Sequence, residues 1–489
     1  MLVANGRWIV PLASWLAPIG WLIFLQRSRK STGLPSALTL FVLLHFVAWR
    51  GIIPAPGILY FLIAGTYALV YFLPYFAHRL LCQRLAGFRV TLIFPTAWVA
   101  SEFLFQNWVT PYGSWFSLAY TQTEHIALLQ IAALTGHAGI SFLMTWFAAT
   151  IAWTIDSGQA TRATLSTAAV FATALGGVLL YGQLRLSRPS APAELVRAAG
   201  LVPSASLLDE LEAALAPARR GGNLSPASRD RLERIANRLN DDLFSRSRRE
   251  ASAGAQLVTW SETAGRVLKA AEHEFVSKAQ ALATEAGVDL VLGYGVWDPD
   301  GVPPFENKVI AIGADGEVAW EYEKAHPIVG AESAFMRPGK RVIHGLVTPY
   351  GVVSAAICHD LDFPALLRQA HNAGTTLMVG PSADWEEITP LHANMAILRA
   401  IENGFSLIRP TSGGRSIATD WRGRTVAALD YPDDAFVAYL PTARVRTPYG
   451  AVGDLFSWLC VVGVIGFVAL HLISARARSP DPRKRRYSF

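Results

Sequence analysis

Charged residues are almost absent from the first third of this chain, and no other feature constrains its fold as strongly. Residues 8–183 contain eleven Asp, Glu, Lys and Arg in 176 positions. Residues 184–489 contain 68 in 306, which approaches the roughly 25% of an ordinary soluble domain. A segment so poor in charge is typical of a membrane-embedded protein. The chain is therefore predicted to consist of a membrane block followed by a soluble block.

Seven apolar runs are candidates for membrane-spanning helices. Most of them reach the roughly 17 to 25 residues that cross the hydrocarbon core of a bilayer, whereas 35–49 and 90–105 are shorter. Six belong to the first block and one lies near the C-terminus: 8–25, 35–49, 57–76, 90–105, 138–155, 163–182 and 455–473. The first run is predicted to be a retained span and not a signal peptide. The reason is that Arg27, Arg29 and Lys30 follow this run instead of preceding it.

Basic residues are distributed unequally between the two ends of these spans. Thirteen Lys and Arg fall on the side of the C-terminal tail, whereas four lie next to the opposite side: Arg7, Arg50, Arg185 and Arg188. The positive-inside rule predicts a cytoplasmic tail and a soluble block on the periplasmic side of a bacterial inner membrane. The soluble block itself has a net charge of about −5, whereas nucleic-acid-binding proteins carry positive charge on the folded domain. Nucleic acid is therefore not expected as a partner.

The segment 106–137, between the fourth and fifth predicted spans, has no Lys or Arg but many aromatic residues, among them Trp115 and Tyr120. Two interpretations remain open. The rings can form an interfacial belt, since Trp and Tyr concentrate at the membrane surface. Alternatively, the segment forms the floor of a lipid-accessible cleft beneath the soluble block.

Short apolar strands alternate with amphipathic helical stretches in residues 194–449. Residues 308–322 are predicted to form a hairpin around the turn sequence Ala314-Asp315-Gly316, and residues 267–285 a helix. Because both hairpins and crossovers occur, a layered α/β sandwich is expected.

Cys358 is the one cysteine in the soluble block. It follows a predicted strand, 352–357, and precedes a predicted helix, 363–373. Its thiol can therefore meet the positive end of a helix dipole and backbone N–H groups that stabilise an oxyanion. A cysteine packed at a strand end is the alternative. No Cys/His spacing typical of zinc and no glycine-rich phosphate loop is found in the sequence, so neither a metal nor a cofactor is expected.

Two other strand ends carry residues that complement a thiol. Glu262 follows the predicted strand 256–260, and Lys324 follows the predicted hairpin. Each is by itself most often a solvated charge, but a base, a cation and a thiol at three strand ends are what acyl transfer requires. Glu262 would accept the thiol proton, Cys358 would attack a carbonyl carbon, and Lys324 would stabilise the oxyanion.

The order Trp-Ser-Glu262, Tyr-Glu-Lys324 and Ile-Cys358-His-Asp resembles the Glu-Lys-Cys triad of the nitrilase (carbon–nitrogen hydrolase) superfamily, whose fold is an αββα sandwich. With membrane spans before and after it, the whole chain resembles the apolipoprotein N-acyltransferases. That family moves an acyl chain from a phospholipid to the amino group of a lipoprotein's N-terminal diacylglyceryl-cysteine. The resemblance extends to Thr110-Pro-Tyr-Gly-Ser-Trp and to Arg399-Ala-Ile-Glu-Asn.

The resemblance implies that Glu332, eight residues after Lys324, supports catalysis. Five further residues are candidates for the substrate cleft: His359, Asp360, Trp385, Trp115 and Tyr120. The pair His359-Asp360 stands where the family usually has Tyr-Glu. Ser382-Ala-Asp-Trp-Glu-Glu replaces the usual Asn-Asp-Ala-Trp-Phe-Gly. These departures bear on the acyl acceptor, whereas the triad is retained.

The sequence thus predicts a polytopic helical membrane domain (1–190) and an extracytoplasmic nitrilase-like αββα sandwich (191–452). A C-terminal transmembrane helix (453–474) and a basic cytoplasmic tail (475–489) follow. The predicted function is a membrane-bound N-acyltransferase that takes an acyl chain from a phospholipid onto Cys358 and passes it to a lipoprotein or another amine. The alternative is a membrane-tethered hydrolase or amidase acting on another amide or ester. A non-enzymatic protein with a relic nitrilase domain is disfavoured by the intact triad.

Overall fold

The computed structural model describes residues 2–83, 85, 87–158, 161–188, 194–219, 226–298, 301–432 and 435–477. Most of the predicted basic tail lies outside these ranges. Within them, an N-terminal helical region, an α/β domain and a final apolar helix follow one another. This order confirms the predicted combination of a helical membrane domain, a nitrilase-like sandwich and a C-terminal apolar helix.

The N-terminal region is helical because an apolar segment in a bilayer must satisfy its backbone hydrogen bonds internally. Its helices are α1 Pro11–Arg27, α2 Lys30–Ala48, α3 Gly57–Leu81, α4 Phe88–Trp108, α5 Ile126–Leu129, α6 Ala132–Thr135, α7 Ala138–Asp156 and α8 Arg162–Ser187.

The α/β domain and the C-terminal segment follow. The strands are β1 Leu195–Leu201, β2 Leu257–Trp260, β3 Gly265–Leu268, β4 Asp289–Trp297, β5 Phe305–Ile312, β6 Val318–Glu323, β7 Leu346–Thr348, β8 Gly351–Ala355, β9 Leu377–Val379, β10 Ser382–Ala383, β11 Ser406–Arg409, β12 Thr411–Ser412, β13 Arg415–Thr419, β14 Thr425–Asp430 and β15 Ala435–Pro441. The helices are α9 Ala205–Arg219, α10 Pro226–Ser252, α11 Glu272–Ala286, α12 Pro364–Ala373, α13 Thr389–Asn403, α14 Pro448–Val452 and α15 Leu455–Ala477.

Six helices in the described part of the chain are long and apolar enough to cross a membrane: α2, α3, α4, α7, α8 and α15. The remaining predicted span, 8–25, corresponds to α1, which has 17 residues. α1 packs along α7, with the rings of Trp15 and Phe147 5.6 Å apart. Its last residue, Arg27, lies 3.3 Å from Asp156, the last residue of α7. α1 therefore reaches the same end of the bundle as α7.

Two large sheets and a two-stranded pair, β10 and β12, build the described α/β domain. The first has the strand order β15-β1-β2-β4-β5-β6, with β3 also paired to β4, and the second has the order β14-β13-β11-β9-β8-β7. Successive residues of a strand point to opposite faces. On β4, Leu290 and Leu292 pack in one core with Phe275 of α11, whereas Val291 belongs to the core that includes Val353 of β8. On the second sheet, α13 packs against β11 and β13.

The hairpin predicted over 308–322 is confirmed, since β5 and β6 pair antiparallel. The predicted start of the helix over 267–285 was wrong. β3 occupies the beginning of this segment and pairs in parallel with β4, and α11 begins at Glu272. Four residues are too few for their periodicity to distinguish a strand from a helical turn, so pairing with β4 decided the outcome.

The aromatic segment 106–137 lies beneath the α/β domain. Four of its rings are at most 1% exposed: Tyr112, Trp115, Phe116 and Tyr120. Gly113 has a φ of +56°, and a Cβ added there would lie 2.4 Å from the carbonyl oxygen of Asp362, so the close approach requires glycine. The N–H of Ser114 donates to the same oxygen at 2.9 Å. The segment is therefore a floor beneath the α/β domain and more than an interfacial belt.

Candidate active site

Cys358 lies at the start of a 3-10 turn, Cys358–Asp362, that connects β8 to α12. Its φ is +47°, a conformation that costs a non-glycine residue about 1–3 kcal/mol and is found preferentially at functional sites. The N–H of Cys358 donates to the carbonyl oxygen of Pro381 at 2.8 Å. Its side chain is buried, with Sγ 3.7 Å from the carbonyl oxygen of Ala383. The turn thus presents the sulfur at a strand end, as the sequence predicts.

Glu262 follows β2 and is buried. A Cβ added to Gly293 of the neighbouring β4 would lie 2.2 Å from the carbonyl oxygen of Ser261, so this glycine lets the backbone before Glu262 approach β4 closely. Oε1 of Glu262 accepts hydrogen bonds from Lys324 Nζ at 2.8 Å and from Asn307 Nδ2 at 2.7 Å. Oε2 accepts one from the N–H of Ala383 at 2.9 Å.

These contacts leave Glu262 suited to act as a base towards Cys358. A carboxylate has about four acceptor positions, and three are occupied, so Oε2 keeps one. Ala383 contacts both partners, because its N–H binds Oε2 and its carbonyl oxygen lies 3.7 Å from Sγ. The carboxylate and the thiol are therefore linked through one residue.

Lys324 follows β6 and is held between two carboxylates. Its Nζ lies 2.8 Å from Glu262 Oε1 and 2.7 Å from Glu332 Oε2, and its side chain is 1% exposed. Glu332, which is 17% exposed, also accepts the N–H of Ile328 at 2.8 Å. The structure thus brings together Glu262, Lys324 and Glu332, as the sequence predicts.

The pKa values of the thiol and the amine reflect this environment. Burial, followed by the neighbouring Glu262 charge, raises the pKa of Cys358 to about 11, although Lys324 and His392 act in the opposite direction. Burial by itself would lower the pKa of Lys324, but the Glu262 and Glu332 charges outweigh it and raise this pKa well above its ordinary value. Lys324 therefore stays charged at neutral pH, whereas Cys358 is a thiol that needs a base.

Two groups can stabilise an oxyanion formed at a carbonyl attacked by Cys358. One is Lys324 Nζ. The other is the backbone N–H of His359, for which no acceptor is found among the described residues. The N–H of Cys358 itself donates to the carbonyl oxygen of Pro381. Charge-stabilising donors of this kind typically contribute about 10²–10³-fold each to turnover.

His359 and Asp360, two of the predicted cleft residues, are both fully buried next to Cys358. Asp360 accepts hydrogen bonds from Tyr322 Oη, from the N–H groups of Ala325 and His326, and from His326 Nδ1 when that nitrogen carries the proton. Asp360 therefore fixes the backbone that follows Lys324 and holds the side chain of Tyr322 before it. Nδ1 of His359 lies 3.0 Å from the carbonyl oxygen of His326, and burial lowers the pKa of His359 to about 4, so this imidazole is neutral.

The three aromatic cleft candidates lie between the two domains. Trp115 is buried, and its Nε1 donates to Asp362 Oδ2 at 2.6 Å. Trp385 donates to the carbonyl oxygen of Gly51, in the connection between α2 and α3, at 2.7 Å. Tyr120 is buried further inside, where Arg399 donates to its Oη at 2.9 Å. Arg399 also forms an ion pair with Glu402, at 3.1 Å.

Sequence reasoning missed Asn307 and the surroundings of His392. Asn307 lies within β5, and its only sequence signal is an amide in a strand that is otherwise largely buried. His392 lies about two helical turns before Arg399, on the same face of α13. The ligand-type atoms of His392, Cys358 and Asp384 lie within 4.8 Å of one another. His392 and Asp384 are hydrogen-bonded to each other, so the three form a polar cluster.

Comparison with known proteins places this geometry in context. Residues 3–150 match the family model described as apolipoprotein N-acyltransferase N-terminal domain, and residues 241–445 match the one described as carbon–nitrogen hydrolase. The apolipoprotein N-acyltransferase of Geobacter metallireducens is 26% identical over 78% of this chain and 74% of the relative. That of Haemophilus influenzae is 24% identical over 91% and 87%. An amidase from Nesterenkonia sp. is a solved structure with 21% identity and a TM-score of 0.41, covering 53% of this chain and 95% of the amidase.

The two family models occur in the order of the two domains, and the relatives cover most of the chain. The apolar helices are those of a multi-pass protein of a bacterial inner membrane. The α/β domain is that of a nitrilase-superfamily enzyme, and the protein is a membrane acyltransferase. The N-terminal model, the hydrolase model and relatives that align with most of the chain agree, so both domains and their order match those of the apolipoprotein N-acyltransferases.

Proposed function

We propose that this enzyme takes an acyl chain from a phospholipid as a thioester on Cys358 and transfers it to the N-terminal amine of a lipidated apolipoprotein cysteine. The observation that carries the proposal is the arrangement of the buried Glu262 and Lys324, with the partly exposed Glu332, beside the buried Cys358. The turn that bears Cys358 is seated on the membrane-side segment through Ser114 and Trp115.

The first half-reaction is acylation of the enzyme. Glu262 accepts the thiol proton, and the thiolate of Cys358 attacks the ester carbonyl carbon of the phospholipid. Lys324 and the N–H of His359 stabilise the tetrahedral oxyanion. As this intermediate collapses, the ester C–O bond breaks, and the lysophospholipid alkoxide receives the proton from Glu262. The products are a thioester and a lysophospholipid.

The second half-reaction returns the enzyme to its starting state. The acceptor amine attacks the thioester carbonyl and gives a proton to Glu262. The C–S bond then breaks, and the departing Cys358 sulfur recovers that proton. The products are an amide and the free thiol. A neutral amine is required for attack, and Glu332, the more exposed of the two carboxylates on Lys324, is in a position to face it.

Contacts with the membrane domain support a lipid donor over a soluble one. Tyr112 Oη donates to the carbonyl oxygen of Val329 at 2.8 Å, and Gly330 lies beside Pro54 and Ala55 of the connection between α2 and α3. The loop carrying Glu332 therefore lies directly on the membrane region. Exclusion of water favours transfer over hydrolysis, and burial of the three triad residues supports it.

The test of this proposal is the intact mass of the protein after incubation with phosphatidylethanolamine in micelles. We expect a gain of one acyl chain at Cys358, localised by peptide mapping and removed by hydroxylamine because it is a thioester. Adding a diacylglyceryl-cysteine peptide should remove the acyl chain and give an N-acyl peptide. Release of free fatty acid at the same rate with and without the peptide would favour the hydrolase alternative. Absence of any acyl-enzyme would contradict the proposal.

Glu332→Gln is expected to slow turnover about 10- to 100-fold, because Lys324 would lose one of its two charge partners and the acceptor a nearby carboxylate. The folded protein should persist, since the amide can still accept from Nζ. Turnover with the peptide acceptor measures the first effect and thermal unfolding the second. Glu323→Gln is the matched control, because Glu323 is adjacent to Lys324 but its carboxylate faces Arg337. Unchanged turnover in Glu332→Gln would remove Glu332 from the site.

We propose a topology of seven spans with the α/β domain in the periplasm and the tail in the cytoplasm. The reach of α1 along α7 supports the seventh span, and the excess of basic residues at that end of the bundle supports the orientation. A phosphatase fusion at Phe489 should be inactive, and a fluorescent-protein fusion there should fold. A fusion inserted in the connection 313–317 of the α/β domain should give the reverse result. An active phosphatase at Phe489 would contradict both the orientation and the span count.

A further inference from the structure

A second cluster of buried charges lies beside Cys358, and the two half-reactions above do not use it. It consists of His392 on α13, Asp362 in the turn after Cys358, Asp384 after β10 and Arg409 on β11, with side chains at most 2% exposed. Ligand-type atoms of Cys358, Asp384 and His392 lie within 4.8 Å of one another. The cluster is therefore close enough to influence the charge on Sγ.

Both ring nitrogens of His392 contact carboxylates. Nδ1 lies 2.8 Å from Asp384 Oδ1, and Nε2 lies 2.8 Å from Asp362 Oδ2. Arg409 Nη2 also lies 3.1 Å from Nδ1. A carboxylate at each ring nitrogen favours the imidazolium, because only this form donates from both nitrogens. Burial would raise the pKa of Asp384, but Arg409 and His392 lower it to about 2, so this carboxylate is ionised. Asp362 and Asp384 correspondingly outweigh burial and raise the pKa of His392 well above its ordinary value.

We propose that His392 is a positioning residue whose permanent positive charge stabilises the Cys358 thiolate, a role that rests on Cys358 being the nucleophile of the proposed function. The groups around Sγ come from every neighbouring element. Positive charges are Lys324 after β6, His392 on α13 and Arg409 on β11. Negative charges are Glu262 after β2, Asp384 after β10 and Asp362 in the turn.

Without His392, the thiolate would face the surrounding carboxylates and two cations that are already paired. Arg409 is engaged by Asp384, and Lys324 by Glu262 and Glu332. His359, in the same turn, is neutral and supplies no charge. The imidazolium is thus the charge that balances Asp362 and Asp384 at the sulfur.

The proposal is tested by alkylating Cys358 with iodoacetamide at pH 8 in the full-length protein in micelles, with Cys82 and Cys460 changed to alanine. His392→Gln should react about 10- to 100-fold more slowly, because a unit charge is removed about 5 Å from the sulfur at low effective dielectric. Asp384→Asn should react several-fold faster, since its amide oxygen can still accept from Arg409 and His392 while one negative charge is lost. His392→Lys, which keeps a cation, should lie closer to the parent protein than His392→Gln.

Changes of opposite sign in the alkylation rate of His392→Gln and Asp384→Asn distinguish a charge effect from a packing effect. A change in packing would alter access to the sulfur without regard to the charge of the residue removed. Thermal unfolding identifies any variant that does not fold, and His392→Lys then takes the place of His392→Gln. An unchanged rate in His392→Gln, or the same direction of change in both charge variants, would overturn the proposal. Alkylation needs no lipid, so absence of an acyl-enzyme in the parent protein would contradict the proposed function alone.

Discussion

Cys358→Ala is expected to abolish formation of the acyl-enzyme and to reduce N-acyl transfer at least 10³-fold. The thiol is the one strong nucleophile next to the buried base Glu262, and a methyl group offers no atom for a covalent intermediate. Acyl-enzyme is measured by intact mass and transfer by the N-acyl peptide formed. Because a cysteine and an alanine differ by one buried atom, the free energy of unfolding should change by little more than about 1 kcal/mol.

Cys460→Ala is the matched control for this experiment. Cys460 is also a buried thiol, 5% exposed, but it packs on α15 against α4 and not beside the triad. Its replacement should leave acylation unchanged. If Cys358→Ala retained the activity of the parent protein, the thiol mechanism would be wrong and the nitrilase likeness would describe only the fold.

Lys324→Met is expected to cause the second large effect, in stability as well as in catalysis. Removing the cation leaves the Glu262 and Glu332 carboxylates facing each other in a buried site, and breaking a buried ion pair in this way costs about 3–5 kcal/mol. The oxyanion also loses its charged donor, and such a loss typically lowers turnover by a further factor of about 10²–10³. Unfolding by heat or denaturant measures the first effect, and single-turnover acylation of the folded fraction the second.

Lys308→Met separates the two contributions. Lys308 is also largely buried, at 9% side-chain exposure, and contacts Glu272 at 2.8 Å and Glu306 at 2.7 Å. The Lys308→Met variant should lose stability for the same reason. Its folded fraction should be acylated normally, since the partners of Lys308 do not include Glu262. If Lys324→Met and Lys308→Met slowed acylation equally, Lys324 would be a structural cation and not an oxyanion donor.

The sequence predicted much of the architecture because the relevant signals are local. A long apolar run indicates a membrane helix wherever it occurs, and such runs predicted α2, α3 and α15. The turn sequence at Ala314-Asp315-Gly316 indicates the β5–β6 hairpin. The order of Glu262, Lys324 and Cys358 at strand ends predicted one site, since strand ends that meet at one edge of a sandwich bring their side chains together.

Local signals failed where pairing between distant segments decides the outcome. β3 resembles the start of a helix until it pairs with β4. Asn307 is an unremarkable polar residue until the β5 register places its amide 2.7 Å from Glu262. The aromatic segment before α5 fits a membrane surface equally well until Gly113 lets it approach Asp362.

By itself the sequence determined the division into membrane and soluble blocks, the class of the sandwich and the choice of Glu262, Lys324 and Cys358 as the proposed base, cation and nucleophile. These properties follow from composition and from residues next to their own secondary structure. Only the tertiary structure decided that His392 is bonded to two carboxylates, that Asp360 fixes the backbone that follows Lys324, and that Trp115 binds the turn after Cys358. Each of these contacts joins separate elements or domains, and their geometry depends on sheet register and domain packing, which no local periodicity encodes.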